Sequence, residues 1–486
     1  MAIQQPLICM LSKTRILFFE ACFIVWIYSN FTFSKTIVET LPGFAGKLPF
    51  KFETGYIGVG ESESVELFYY FFESENKPET HPLLLFLTGG PGCSAVHTII
   101  YEIGPFTLMN NFINGSSTVG VELKPYSWTK VSNLLVIDQP AGCGYSYAKT
   151  EESWYGSDTK SALLTYQFIK KWLVAHPEYY KNDLYIGGDS YAGIFVPLVV
   201  EQIYNGNQMM DELPLNVKGY ILGNPVTDKF GDTNGRVKYA HNMGLLSDEL
   251  YESAKSNCEG NYVSHHPSNK LCDHDMQRIS QCLDNICLPH ILDVCCDAWT
   301  VNNKLSAMPS SHGLHPLLFL GPLKGWCQDH DFAYAYLWGN DRDVQAALNI
   351  RKGTIQEWSR CNTSISFASV GMEKREAYSS NVQSVVPIHR NLTYKHARAL
   401  VYTGDHDLVV PRTSTLDWIE SLGLTVKSEW RPWYVDGEIA GYNVGYSHMN
   451  YELTYATIKG GGHLPSEQKP KECFSMISRW FAGGPI

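Results

Sequence analysis

The sequence predicts an α/β protein with a doubly wound, mostly parallel central sheet and an inserted, disulfide-rich cap. Three observations lead there. Apolar runs of strand character alternate with helical spacing over 66–222 and again over 399–458. Glycine-rich loops follow the ends of those strands, where open parallel sheets build their sites. Between the two parts, over 227–338, periodicity is poor and seven cysteines gather: Cys258, Cys272, Cys282, Cys287, Cys295, Cys296 and Cys327.

The chain begins with a segment apart from the fold. Lys13 and Arg15 precede an apolar run over 16–27, the pattern of a secretory signal. Cleavage near Ser34 makes 1–34 the expected signal peptide. Glu20 within the run argues against a permanent anchor, because a carboxylate at mid-bilayer is costly. The core is then expected in two parts, 35–226 and 339–486. Strands over 66–72 and 82–87 read as neighbours, and the second is apolar throughout, as a strand covered on both faces must be. Another buried strand covers 133–138, and Leu163, Leu164, Phe168, Trp172 and Leu173 space a helix over 159–176. Leu184, Tyr185 and Ile186 form a strand that meets a helix running to 204, and 217–222 is the next strand. In the second part, a strand over 399–402 and a helix over 414–422 precede a hairpin of 429–435 with 439–444, turning at Asp436-Gly437. The last strand, 453–458, delivers Gly460-Gly-Gly-His463.

Composition narrows the function. Hydrophobic residues make up 44% of 486, enough for a large core. A formal net charge of -11 disfavours a nucleic-acid partner, whose phosphates need a basic surface. No metal or cofactor motif is present, and no second apolar run is long enough to span a bilayer. Of thirteen cysteines, Cys9 and Cys22 would leave with the signal; the rest fit an oxidising compartment with several disulfides and at least one unpaired thiol. A zinc site in the cap is disfavoured, because the spacing matches no paired CxxC arrangement. Sequons at Asn114, Asn362 and Asn391 agree with passage through the secretory pathway, to the vacuole or the cell exterior.

The chemistry centres on Gly187-Gly-Asp-Ser-Tyr-Ala-Gly193. A serine between glycines at a strand-to-helix junction has the setting of a nucleophile elbow, although a tight turn with an incidental serine would read the same. The later chain adds an acid in Gly404-Asp-His-Asp407 after one strand and His463 after another. Ser…Asp…His is the order of the α/β-hydrolase fold. A serine hydroxyl is a poor nucleophile until a histidine takes its proton, and a carboxylate orients that imidazole. Asp407 is preferred over Asp405, which directly follows the turn glycine and is placed to brace the loop; motif order alone leaves both open. Gly89-Gly90 at a strand end can expose backbone N–H groups, and the residue after the nucleophile, Tyr191, can supply another.

Taken together, the chain resembles the serine carboxypeptidase family of the plant type. The resemblance rests on Thr88-Gly-Gly-Pro-Gly-Cys-Ser94, Glu102-Ile-Gly-Pro105, Asp138-Gln-Pro140 with Gly144-Tyr-Ser-Tyr147, Gly188-Asp-Ser-Tyr-Ala-Gly193, Gly404-Asp-His-Asp-Leu-Val-Val-Pro411 and Gly462-His463. It implies a triad of Ser190, Asp407 and His463, oxyanion donors at Gly90 and Tyr191, and disulfides Cys93–Cys361, Cys258–Cys272 and Cys296–Cys327. By the same resemblance, 301–324 is a candidate for an excised linker that leaves two disulfide-linked chains.

The family's peptidases hold a peptide carboxylate with an asparagine before the two glycines and a pair of acids, one of them a glutamate before the nucleophile. Here Thr88 and Asp189 take the first and last of these places, while Glu102 matches the other acid. A threonine offers one hydroxyl in place of an amide fork. The shorter aspartate is expected to draw its carboxyl away from Glu102 and weaken a pair that could share a proton. Thr88, Gly89, Glu102 and Asp189 are thus the expected substrate-binding residues. These substitutions, with Leu222-Gly-Asn-Pro-Val-Thr-Asp228, resemble the branch that transfers acyl groups from glucose esters to hydroxyl acceptors. The expected function is that transfer, with acid-pH removal of C-terminal residues from peptides as the alternative and a catalytically weak binding protein as a third reading. Leu464-Pro-Ser-Glu467 after His463, and Ala141 and Cys143 around Gly142, depart from the family pattern.

Overall fold

The computed structural model of the protein describes residues 34–109, 119–209, 213–264, 266, 268–294, 329–362, 364–365 and 377–486. Thr36–Ile486 form one compact unit. The linker 301–324, the Cys296–Cys327 pair, Asn114 and all of the signal segment before Ser34 lie outside the described residues.

The central sheet contains β1 (Phe52–Val59), β2 (Val65–Phe72), β3 (Leu83–Leu87), β4 (Asn133–Ile137), β5 (Leu184–Asp189), β6 (Val217–Gly223), β7 (Arg398–Gly404), β8 (Thr425–Val435), β9 (Glu438–His448) and β10 (Tyr451–Ile458). Their spatial order is β1-β2-β4-β3-β5-β6-β7-β10-β9-β8. The middle, from β4 to β10, is parallel. Antiparallel pairs flank it on both sides. This is the α/β-hydrolase arrangement. Every residue of β3, β4 and β5 is buried, which explains why, Asn133 and Asp189 at their ends apart, they are built of apolar residues and glycine.

One expected adjacency is replaced. β2 and β3 are not paired; β4 lies between them, antiparallel to β2 and parallel to β3. A strand as apolar as β3 gains most from parallel neighbours on both edges, and β4 and β5 provide them. The β8–β9 hairpin turns at Asp436 and Gly437, both at positive φ (50° and 85°), the backbone of a type I′ turn.

Helix α1 (Ala95–Ile100) follows β3, α2 (Asp158–Ala175) follows β4, and α3 (Ala192–Gly206) packs on β5 and β6. The stretch after β6 is more regular than its sequence suggests. It forms α4 (Lys229–Asn242), α5 (Asp248–Asn257) and α6 (Lys270–Leu283). Each starts on a side-chain cap, from Asp228, Ser247 and Asn269. Their apolar faces are narrow, so periodicity is faint, yet Val237, Leu246, Leu250, Ala254 and Ile279 build a small core that also takes in Leu408. Cys258 and Cys272 are bonded, tying the end of α5 to α6.

Phe86 tests the main core. Its ring is fully buried in β3, edge-on to Trp128. Phe86→Ala is expected to cost about 3–5 kcal/mol of stability in denaturant unfolding; a loss below about 1 kcal/mol would contradict the packing described.

Candidate active site

Ser190 sits between the end of β5 and the start of α3 with φ at 53°. A non-glycine residue in this region is strained and is held only where its surroundings fix it. Here the Ser190 N–H donates to the Gly223 carbonyl (2.9 Å), and the Ser190 carbonyl accepts from the N–H groups of Gly193 (3.0 Å) and Val226 (2.9 Å). Crowding explains the glycines around it. A Cβ on Gly188 would fall 2.6 Å from that of Ala192, and one on Gly193 would fall 2.5 Å from the Val226 carbonyl oxygen.

The ends of β7 and β10 bring the other two residues to it. His463 Nε2 is 2.8 Å from Ser190 Oγ, and His463 Nδ1 is 2.8 Å from Asp407 Oδ2. Asp407 is fully buried and also accepts from Asn224 Nδ2 (2.7 Å) and from the backbone N–H groups of Val409 (2.7 Å) and Val410 (3.2 Å). Asp405 instead accepts from the Gly460 N–H (2.7 Å), joining the acid's loop to the histidine's loop. The two loops touch so closely that a Cβ on Gly404 would fall 2.1 Å from the Gly462 carbonyl oxygen. A segment of the inserted stretch clasps both: Leu408 N–H donates to Leu288 O (2.9 Å) and His463 N–H to Pro289 O (2.6 Å). Burial disfavours a charged His463, but Asp407 outweighs burial and holds the imidazole above its ordinary value.

The loop after β3 lies against the serine. A Cβ on Gly89 would fall 2.7 Å from Ser190 Cβ and 3.1 Å from the Tyr191 nitrogen, so only glycine permits this approach. Gly90 adopts φ of 119°. The disulfide Cys93–Cys361 and the bonds Ser94 N–H to Arg360 O (2.7 Å) and Asn362 N–H to Gly92 O (3.0 Å) pin the loop from outside.

Beside it lies a buried polar cluster. Thr88 Oγ1 is 2.8 Å from Thr98 Oγ1, which in turn donates to Glu102 Oε1 (3.3 Å). The Glu102 and Asp189 carboxyls are both buried. Desolvation first, then the charge of Asp189, drives Glu102 well above the carboxylate range. Desolvation also pushes Asp189 up, to about 6, with His463 and a hydrogen bond from Glu102 restraining the rise. Glu102 Oε2 and Asp189 Oδ1 have no hydrogen-bond partner among the described residues. The two buried acids are thus electrostatically linked, the charge of Asp189 adding to the rise of Glu102.

Comparison with known proteins places this geometry. The sequence pattern of the serine carboxypeptidase family matches residues 42–483. The chain belongs to that family. It is 42% identical over 453 residues to serine carboxypeptidase-like 4 of Arabidopsis thaliana, covering 93% of this chain and 94% of that protein. Serine carboxypeptidase-like 8 of the same plant is also 42% identical, with 93% and 96% covered. Among solved structures, Kex1Δp, a prohormone-processing carboxypeptidase from Saccharomyces cerevisiae, shares the fold with a TM-score of 0.70 at 19% identity, covering 92% of this chain and 95% of that one.

Several residues that complete this family site are not evident from motifs. Asn224, at φ 38°, bridges Asp407 and the Gly404 N–H; the only sequence hint is its place after a strand end. Thr98 is signalled only by standing one helical turn before Glu102. Lys124, its ammonium 3.2 Å from the Glu102 carbonyl, is lowered to about 8 by burial, while Glu467 and Glu102 act to raise it. Of the sequons, Asn391 is exposed. The amide nitrogen of Asn362 donates to Gly142 O (2.8 Å), a bond a glycan there would displace.

His463 must be neutral to accept a proton, so reaction at Ser190 is expected to weaken as pH falls through the imidazole's raised value. Labelling by a fluorophosphonate should therefore slow on acidification with a midpoint above 6.5, and vanish in Ser190→Ala. Labelling that is flat from acid to neutral pH, or that persists in the variant, would contradict the arrangement.

Proposed function

We propose that the protein transfers an acyl group from a 1-O-acyl-glucose ester to a hydroxyl acceptor through an acyl-Ser190 intermediate. The observation that carries this reading is the state of Thr88. Its hydroxyl is buried and spent on Thr98, so the position before the two glycines offers no fork toward a peptide carboxylate. The retained acid pair favours the second reading, a carboxypeptidase, below the pH at which Asp189 ionises.

In the proposed reaction, Ser190 Oγ attacks the ester carbonyl while His463 takes the hydroxyl proton. The backbone N–H groups of Gly90 and Tyr191 stabilise the tetrahedral oxyanion. His463 then protonates the departing glucose oxygen. The acceptor hydroxyl gives its proton to His463, attacks the acyl-serine, and Ser190 recovers its proton as it leaves. Thr88, Gly89, Glu102 and Asp189 border the donor. An ionised Asp189 suits sugar hydroxyls, which donate to it, and repels a carboxylate. Helices α4 to α6 are read as part of a cap on the acceptor side. We place the mature protein in the secretory pathway, at the vacuole or outside the cell, with glycans at exposed sequons.

The test is a panel of acyl-glucoses and hydroxyl acceptors beside N-blocked dipeptides. Transfer without peptide cleavage is expected, and cleavage without transfer would reverse the preference. Any residual dipeptide binding should fall as pH rises through about 6, where Asp189 gains its charge, while the KM for a glucose ester does not rise. Thr88→Asn with Asp189→Glu is expected to raise dipeptide cleavage; no gain would place selectivity elsewhere in the site.

A further inference from the structure

Asp158 is a buried carboxylate that the triad does not use. It stands at the first position of α2, yet that helix is already capped: Ser157 Oγ accepts from the Lys160 N–H at 3.2 Å. The Asp158 side chain is fully buried and points elsewhere. Oδ1 accepts from the phenols of Tyr191 (2.8 Å) and Tyr378 (2.9 Å). Oδ2 accepts from the Val382 N–H (2.9 Å), with the Lys229 ammonium 3.6 Å away. That ammonium also lies 5.3 Å from the centre of the Tyr191 ring.

A carboxylate without solvent is costly unless its oxygens are paired. All these partners converge behind the residue that follows Ser190. They come from separate parts of the chain that are themselves stitched together. Tyr378 and Ser379 pair with Gly156 and Ser157 as short strands. Lys229 N–H donates to Gln383 O (2.9 Å) and Val385 N–H to Thr227 O (2.9 Å). Tyr191 is thereby fixed at its phenol by Asp158, while its backbone nitrogen lies against the Gly89 loop. A ring fixed at its far end cannot pivot, so the N–H at its near end stays aimed.

We propose that Asp158 is a positioning residue: through the Tyr191 phenol it fixes the backbone N–H that stabilises the oxyanion on Ser190. This rests on the reading of Ser190 as nucleophile and Tyr191 as oxyanion donor. Oxyanion donors act by being held in place before charge develops, so loosening one should cost rate more than ground-state binding.

The experiment follows hydrolysis of 4-nitrophenyl butyrate by the wild type and by Ser190→Ala, Tyr191→Phe, Tyr378→Phe and Asp158→Asn, with melting temperatures alongside. Tyr191→Phe keeps the backbone donor and removes only its tether; kcat should fall about tenfold with KM little changed. Tyr378→Phe strips the same carboxylate of an equivalent bond without touching Tyr191, and should cost kcat less at a similar melting temperature. Asp158→Asn should lower kcat at least as much as Tyr191→Phe; if it fails to fold, the two tyrosine variants still decide. Equal kcat losses in the two tyrosine variants, or lowered melting with unchanged kcat, would overturn the positioning role and leave the nucleophile standing. Hydrolysis that survives in Ser190→Ala, or none in the wild type, would overturn the underlying reading together with it.

Discussion

The left-handed backbone of Ser190 is the constraint on which the site depends. A residue at φ 53° carries a conformational cost of about 1–3 kcal/mol, sustained by the fold around it. The cost is met by a hydrogen bond to the Gly223 carbonyl, by others from the N–H groups of Gly193 and Val226, and by close packing that excludes side chains at Gly188, Gly193 and Gly89. Because the turn is sharp, the hydroxyl stands above the edge of a parallel sheet, where the loops after β3, β7 and β10 also end. The parallel core thus fixes where chemistry can occur before any polar residue is chosen.

The histidine and the acid are held with similar redundancy. Asp407 is buried among Asn224 and two backbone donors, and the loops carrying Asp407 and His463 are in backbone contact. Leu288 and Pro289 hold both loops from the side of the inserted stretch. The added helices therefore do more than cover the sheet; Leu408 belongs to their core, next in sequence to Asp407. Folding of the insertion and alignment of the imidazole are physically linked.

Much of this was legible in the sequence because period and punctuation carry it. The all-apolar β3, the glycines flanking Ser190, and Gly460-Gly-Gly-His463 each mark a strand end by local chemistry. Asp405 and Asp407 separate by position in the loop, and the structure gives Asp405 to Gly460 and Asp407 to His463. What stayed hidden depends on approach in space. Lys124 matters through Glu102, and Asp158 matters through Tyr191, across separations that no spacing rule connects. The placing of β4 between β2 and β3 was missed because apolar character shows that a strand is central without saying beside what.

The proposed reaction turns on an acyl group carried on Ser190 and released to a hydroxyl. Intact-protein mass spectrometry after rapid mixing with a 1-O-acyl-glucose measures this directly. The expected result is a mass increase of one acyl group, located to Ser190 by peptide mapping, that disappears on adding a hydroxyl acceptor with matching formation of the new ester. An unmodified protein throughout turnover of the ester, or an acyl group mapped to another residue, would contradict it.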